Sequence, residues 1–172
     1  MVKNFDIKSL KGLTQDSRQV HTGFLYAAFP GSKVDGRDYI QAAIQNGASA
    51  ILAPIGTVLP DLFSEQDVVL ITDENPRGVF AKMAAEFYKL QPENIVAVTG
   101  TNGKTSCVHF VKQLWQALDK NAASIGTLGV RKVGSVVRSS SMTTPDPVSL
   151  HAEIADMTAV GVTHLAMEAS SH

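Results

Sequence analysis

The segment Ile95-Val96-Ala97-Val98-Thr99-Gly100-Thr101-Asn102-Gly103-Lys104-Thr105-Ser106 joins an apolar run to a stretch of helical period. A strand that turns through glycines into a helix directs successive backbone N–H groups, and the positive end of a helix dipole, at one point. Lys104 adds a mobile charge there and Thr105 a hydroxyl suited to Mg²⁺. The segment therefore predicts a phosphate cradle for a nucleoside triphosphate, built from Gly100, Thr101, Asn102, Gly103, Lys104, Thr105 and Ser106. The general P-loop pattern wants a glycine five residues before Gly103, and this chain has Val98 there. An ordinary strand-to-helix turn needs neither Lys104 nor Thr105, so the cradle reading survives the departure.

Downstream of the loop, Val108, Val111, Leu114, Trp115 and Leu118 fall on one helical face, and Cys107 suits a small buried position. Residues 122–128 read as a strand, and Gly134 as the turn of a hairpin between 130–133 and 136–138. Residues 139–145 are polar and loop-like. Asp146-Pro147 then opens a helix with Leu150, Ile154 and Met157 on one face, Gly161 ends it, and 163–167 is a strand.

Upstream, 23–29 reads as a strand and 30–36 as a turn-rich loop. A helix with Tyr39, Ile40, Ala43 and Ile44 inward and Gly47 at its end follows, then buried strands at 50–53 and 68–71. Asn75-Pro76 starts a helix that runs to about residue 88, and Leu90-Gln91-Pro92-Glu93-Asn94 breaks the pattern. These features predict an α/β protein with a small first domain, residues 1–92, and a second, 93–172, holding the beginning of a parallel-sheet nucleotide domain. The second domain has few strands for such a sheet, so the chain reads as the N-terminal part of a longer enzyme.

A net charge of −1 with scattered Lys and Arg gives no electrostatic reason to expect nucleic acid. The lone Cys107 excludes an internal disulfide, and no stretch approaches the ~20 apolar residues of a membrane span. A soluble, cytoplasmic protein is expected. His21, His109, His151 and His164 lack the spacing of a metal site.

In parallel α/β sheets, ligands gather beyond the carboxyl ends of the strands. The phosphate loop, residues 139–144 and residues 168–172 occupy such ends. Glu168 would emerge near the phosphate loop and could hold Mg²⁺, with His172 as a second candidate ligand.

Thr99-Gly100-Thr101-Asn102-Gly103-Lys104-Thr105 resembles the phosphate-loop signature of the Mur ligases, ATP-dependent amide-forming enzymes of bacterial peptidoglycan synthesis. Folylpolyglutamate synthases share that loop. Met142-Thr143-Thr144-Pro145 and Met167-Glu168-Ala169-Ser170-Ser171-His172 are similar to motifs of the E-type members, which add the third peptide residue to UDP-N-acetylmuramoyl-L-alanyl-D-glutamate. Asp16-Ser17-Arg18, Phe29-Pro30-Gly31 and Asp35-Gly36-Arg37 resemble the family's uridine-nucleotide domain.

The resemblance implies that Ser17, Gly31, Ser32 and Lys33 contact the uridine diphosphate end of the substrate, and Thr143, Thr144 and Ser170 its muramoyl-peptide part. It implies ATP on residues 100–106, with Lys104 on the phosphates, Thr105 on Mg²⁺, and Glu168 and His172 on a second Mg²⁺; Lys104 and Glu168 are the catalytic candidates. The expected partners are the UDP-N-acetylmuramoyl dipeptide and an amino acid, meso-diaminopimelate or L-lysine, with no nucleic acid, no membrane insertion and a monomeric state. The chemistry implied is phosphoryl transfer to a carboxylate and aminolysis of the resulting acyl phosphate, which needs no enzyme nucleophile. The rival readings are a nonenzymatic nucleotide-binding regulatory module and a folylpolyglutamate synthase-like ligase.

Overall fold

The computed structural model describes residues 6–32, 34–63, 68–132, 135–138 and 145–170, with backbone alone for 130–132 and 135–138. The chain divides into two compact units, Met1–Phe87 and Tyr88–His172.

In the first unit, strands β1 (Gly12–Thr14), β2 (Phe24–Ala27), β3 (Ala48–Pro54) and β4 (Val69–Asp73) form a parallel sheet in chain order. Parallel sheets are covered on both faces, so their central strands are apolar at consecutive positions. Leu25, Tyr26 and Ala27 of β2 and Ala50, Ile51, Leu52 and Ala53 of β3 are accordingly all buried. Tyr26, Ala28, Ile51 and Ala53 pack on one face with Ile40, Ala43 and Ile44 of helix α1 (Ile40–Gln45). Phe29 meets Phe80 of helix α2 (Pro76–Tyr88) edge to face, ring centroids 5.6 Å apart. The Asn75 side chain accepts a hydrogen bond from the Gly78 amide at 3.0 Å, so the expected Asn-Pro start of α2 is realised.

Two expectations fail here. Tyr39 lies in the short 3-10 turn before α1 and is exposed. Strand β4 is half open, because among the described residues it ends the sheet and pairs on one side only; Ile71 is buried while Val69 is exposed.

The second unit contains β5 (Asn94–Val98), α3 (Lys104–Ala117), β6 (Ala122–Ile125), β7 (Val130–Lys132), β8 (Ser135–Arg138), α4 (Pro147–Ala159) and β9 (His164–Glu168). The sheet order is β5-β9-β6-β7-β8, with β9 parallel to both β5 and β6, and β7 antiparallel to β6 and β8. The expected hairpin is present in its two strands; Gly134 lies outside the described residues. Asp146 caps α4 by accepting from the amides of Val148 and Ser149, and Ile154 and Met157 pack with Ala123, Ile125 and Leu165.

Helix α3 packs on β5, β6 and β9, with Val108 buried and the Trp115 ring 5.1 Å from that of His164. Leu114 and Leu118, expected on its inner face, are 65% and 68% exposed, and Cys107, expected to be buried, is exposed too. The reason is angular: at 100° per residue, positions 107, 110, 114 and 118 form a stripe about a quarter turn from the one containing Val108 and Trp115. The apolar arc of α3 is thus wider than the arc the sheet covers. Strand β5 lies at the sheet edge, and its Ile95 and Val96 are also exposed.

Candidate functional site

Chain order and spatial order disagree in the second unit, and that disagreement makes the site. Strand β5 leads through α3 to β6, yet β9 inserts between β5 and β6. The loops leaving the carboxyl ends of all three parallel strands therefore converge, the arrangement in which open α/β sheets bind ligands. The pairing of Val98 with Glu168 and of Ile125 with Met167 sets those ends level.

The loop after β5 turns through Gly100 at φ +144° and Gly103 at φ +79°, values that L side chains adopt only under strain. A Cβ on Gly103 would meet nothing within 4 Å, so the inner side of the turn is open. Lys104 is the first residue of α3, and its ammonium donates to the Gly100 carbonyl at 2.8 Å. A cation at a helix N-terminus opposes the helix dipole, so the Lys104 charge does not stabilise α3 through that dipole.

Glu168 ends β9 and is 2% exposed. Its carboxylate accepts from the Thr105 hydroxyl at 3.1 Å, from the Thr127 amide at 2.9 Å and from the Thr127 hydroxyl at 3.3 Å. A small adjoining cavity is lined by Thr105, Val108, Ser124, Gly126, Leu128 and Glu168. A hydroxyl and a carboxylate at hydrogen-bond distance are the hard oxygen donors that Mg²⁺ takes, together with waters and substrate phosphates. Among the described residues there is no group of three or more His, Cys, Asp or Glu that could hold a metal ion.

The structure thus brings Gly100, Thr101, Asn102, Gly103, Lys104, Thr105 and Ser106 to one loop and helix start, with Glu168 beside them. Ser170 is half-buried just past β9. Thr143, Thr144 and His172 lie outside the described residues, as does Lys33. Sequence reasoning missed Gly126 and Thr127; a strand ending in Gly-x-x-Gly at the carboxyl edge was the available signal.

In the first unit, Ser17 sits in the turn after β1, and Gly31 and Ser32 are exposed in the loop after β2. These loops lie at the carboxyl ends of neighbouring strands, since Thr14 pairs with Tyr26. Each is stiffened by an Asp-x-Arg turn. Asp16 accepts from the amide and guanidinium of Arg18, and Asp35 does the same with Arg37. Those guanidinium hydrogen bonds hold both carboxyls below the usual carboxylate range. Arg77, opening α2, donates to the Pro30 carbonyl at 2.9 Å and lies 4.9 Å from the centre of the Phe29 ring.

Comparison with known proteins bears on both units. A family model described as the Mur ligase middle domain matches residues 98–172, and one described as Mur ligase family, catalytic domain, matches residues 9–88. The chain belongs to the Mur ligase family. Among curated Mur ligases it is 49% identical over 161 residues to the UDP-N-acetylmuramoyl-L-alanyl-D-glutamate--2,6-diaminopimelate ligase of Rhizobium meliloti, spanning 94% of this chain and 32% of that one. The enzyme of the same name from Brucella melitensis is 48% identical over 165 residues, spanning 95% of this chain and 32% of the relative. This Mur ligase chain therefore spans about a third of the length of these relatives.

A solved ligase with that same name superposes at a TM-score of 0.76 with 26% identity, covering 95% of this chain and 32% of its own. A MurF ligase from Thermotoga maritima in complex with ADP shares the fold at a TM-score of 0.61 and 24% identity, covering 97% of this chain and 33% of its own. No helix among the described residues is long and apolar enough to cross a membrane.

Proposed function

We propose that a full-length protein carrying this chain is an ATP-dependent ligase that joins diaminopimelate to the glutamyl carboxylate of UDP-N-acetylmuramoyl-L-alanyl-D-glutamate. The observation that carries the proposal is the buried Glu168 carboxylate, 3.1 Å from the hydroxyl of Thr105 at the mouth of the glycine loop. The names and identities of the relatives support this substrate pair.

In this reading residues 1–92 form the UDP-sugar domain, where Ser17, Gly31, Ser32 and Lys33 bind the uridine diphosphate end. Residues 93–172 form the first part of the ATP domain, where Thr143, Thr144 and Ser170 bind the muramoyl-peptide part. The amides of residues 100–106 bind the ATP phosphates, and the Lys104 ammonium stabilises charge on the γ-phosphoryl oxygens as that group leaves ADP for the substrate carboxylate. Thr105 would hold one Mg²⁺ at the phosphates, and Glu168 with His172 would hold a second. When bound, Mg²⁺ offsets negative charge on the phosphates. The amine of the incoming amino acid then attacks the acyl carbon, the bond to phosphate breaks, and the amine loses a proton. The enzyme works as a cytoplasmic monomer.

The test is phosphate release by the full-length protein, with each substrate omitted in turn. Release that requires ATP, the muramoyl dipeptide and diaminopimelate together supports the ligase. Release that ignores the dipeptide, or a folate derivative that replaces it, overturns it.

A further inference from the structure

We infer that Thr127, placed by the turn at residues 126–129, is a positioning residue that aims the Glu168 carboxylate at the metal side of the phosphate loop. The inference rests on the site reading proposed above and extends it to a third loop. Thr127 lies 41 residues from Glu168 in sequence, yet it reaches both carboxylate oxygens: its amide donates to Oε1 at 2.9 Å and its hydroxyl to Oε2 at 3.3 Å. The Gly129 amide donates to the Gly126 carbonyl at 2.8 Å, closing a turn and leaving the Thr127 amide directed at Glu168.

Gly126 belongs to the same device. A Cβ there would stand 2.2 Å from Oε1 of Glu168 and 2.7 Å from its Cγ and Cδ, so any side chain at 126 displaces the carboxylate. The Thr127 amide thus holds Oε1, while the Thr127 and Thr105 hydroxyls both donate to Oε2. A carboxylate held in one orientation loses little freedom when it takes a cation, and removing such support typically weakens metal binding about 10- to 100-fold.

The experiment uses the full-length protein, with a fluorescent ADP analogue to read nucleotide affinity and Mn²⁺ paramagnetic resonance to read the metal. Thr127→Val and Gly126→Ala are expected to weaken Mn²⁺ binding in the nucleotide complex by about tenfold or more, while nucleotide affinity in EDTA stays within twofold. Thr127→Ser, which keeps both donors, restores wild-type Mn²⁺ affinity. Lys104→Ala weakens nucleotide binding with and without the metal. If Gly126→Ala fails to fold, Thr127→Val and its serine rescue still decide. Wild-type Mn²⁺ affinity in Thr127→Val, or no rescue by serine, overturns the positioning role alone. Unchanged nucleotide affinity in Lys104→Ala overturns the site reading and this inference with it.

Discussion

Replacing Lys104 by alanine separates function from stability more cleanly than any other change the structure offers. The ammonium donates to the Gly100 carbonyl at 2.8 Å, and the side chain is only half-buried. Losing that hydrogen bond costs about 1 kcal/mol. Against it, Lys104 is the first residue of α3, and removing a cation from the positive end of a helix recovers about 0.3 to 1 kcal/mol. The two effects nearly cancel, so stability should change by less than about 1 kcal/mol. Catalysis has no such offset. A charge directed at the transferred phosphoryl group is worth about 10²- to 10³-fold in turnover. Steady-state phosphate release by the full-length protein should therefore fall by at least about 100-fold while its urea midpoint barely moves. Turnover within about threefold of wild type, or a stability loss above about 2 kcal/mol, would refute the reasoning.

The remaining expectations concern the two units separately. Leu165 is fully buried in β9 and packs with Ile154 and Met157 of α4, so Leu165→Ala should lower unfolding free energy by about 2 to 5 kcal/mol in urea melts; a loss under about 1 kcal/mol would contradict the packing described. Burial, aided by the charge of Asp16, pushes the Tyr26 phenol up to about 12 from 10.0. Its neutral form is favoured by folding, so that stability is intact below pH 10 and is lost as pH rises toward 12. Tyr26→Phe, which also loses the 2.9 Å bond to the Gly36 carbonyl, should show a shallower fall over that window, and an identical pH profile would count against it. Cys107 is exposed on α3 and should react with a thiol reagent in the native protein; labelling only after denaturation would contradict that placement.

The features legible in advance were those a few neighbouring residues decide. The Asp146-Pro147 and Asn75-Pro76 helix starts appear as expected because a cap bond spans two or three residues. The glycine loop was legible for the same reason: Gly100 and Gly103 take positive φ, and Lys104 and Thr105 open the helix that follows. The end of β9 beside that loop followed from the general rule for parallel sheets.

What no local pattern contained was the competition between apolar faces and the partners brought by distant segments. The sequence marked Leu114 and Leu118 as apolar positions of a helix, but which part of a wide apolar arc is covered depends on where the sheet ends. The same holds for β4 and β5, whose edge positions are properties of strand order. Glu168 was readable as a carboxylate at a strand end. Its burial and its grip by Thr127 came only from β9 inserting between β5 and β6, which brings side chains 41 residues apart within hydrogen-bond reach. By itself, then, the sequence determined the α/β class, the helix starts and the phosphate loop, because those depend on short-range backbone geometry. Tertiary structure alone decided which apolar faces are covered and how the carboxylate is held, because both depend on which distant segments become neighbours.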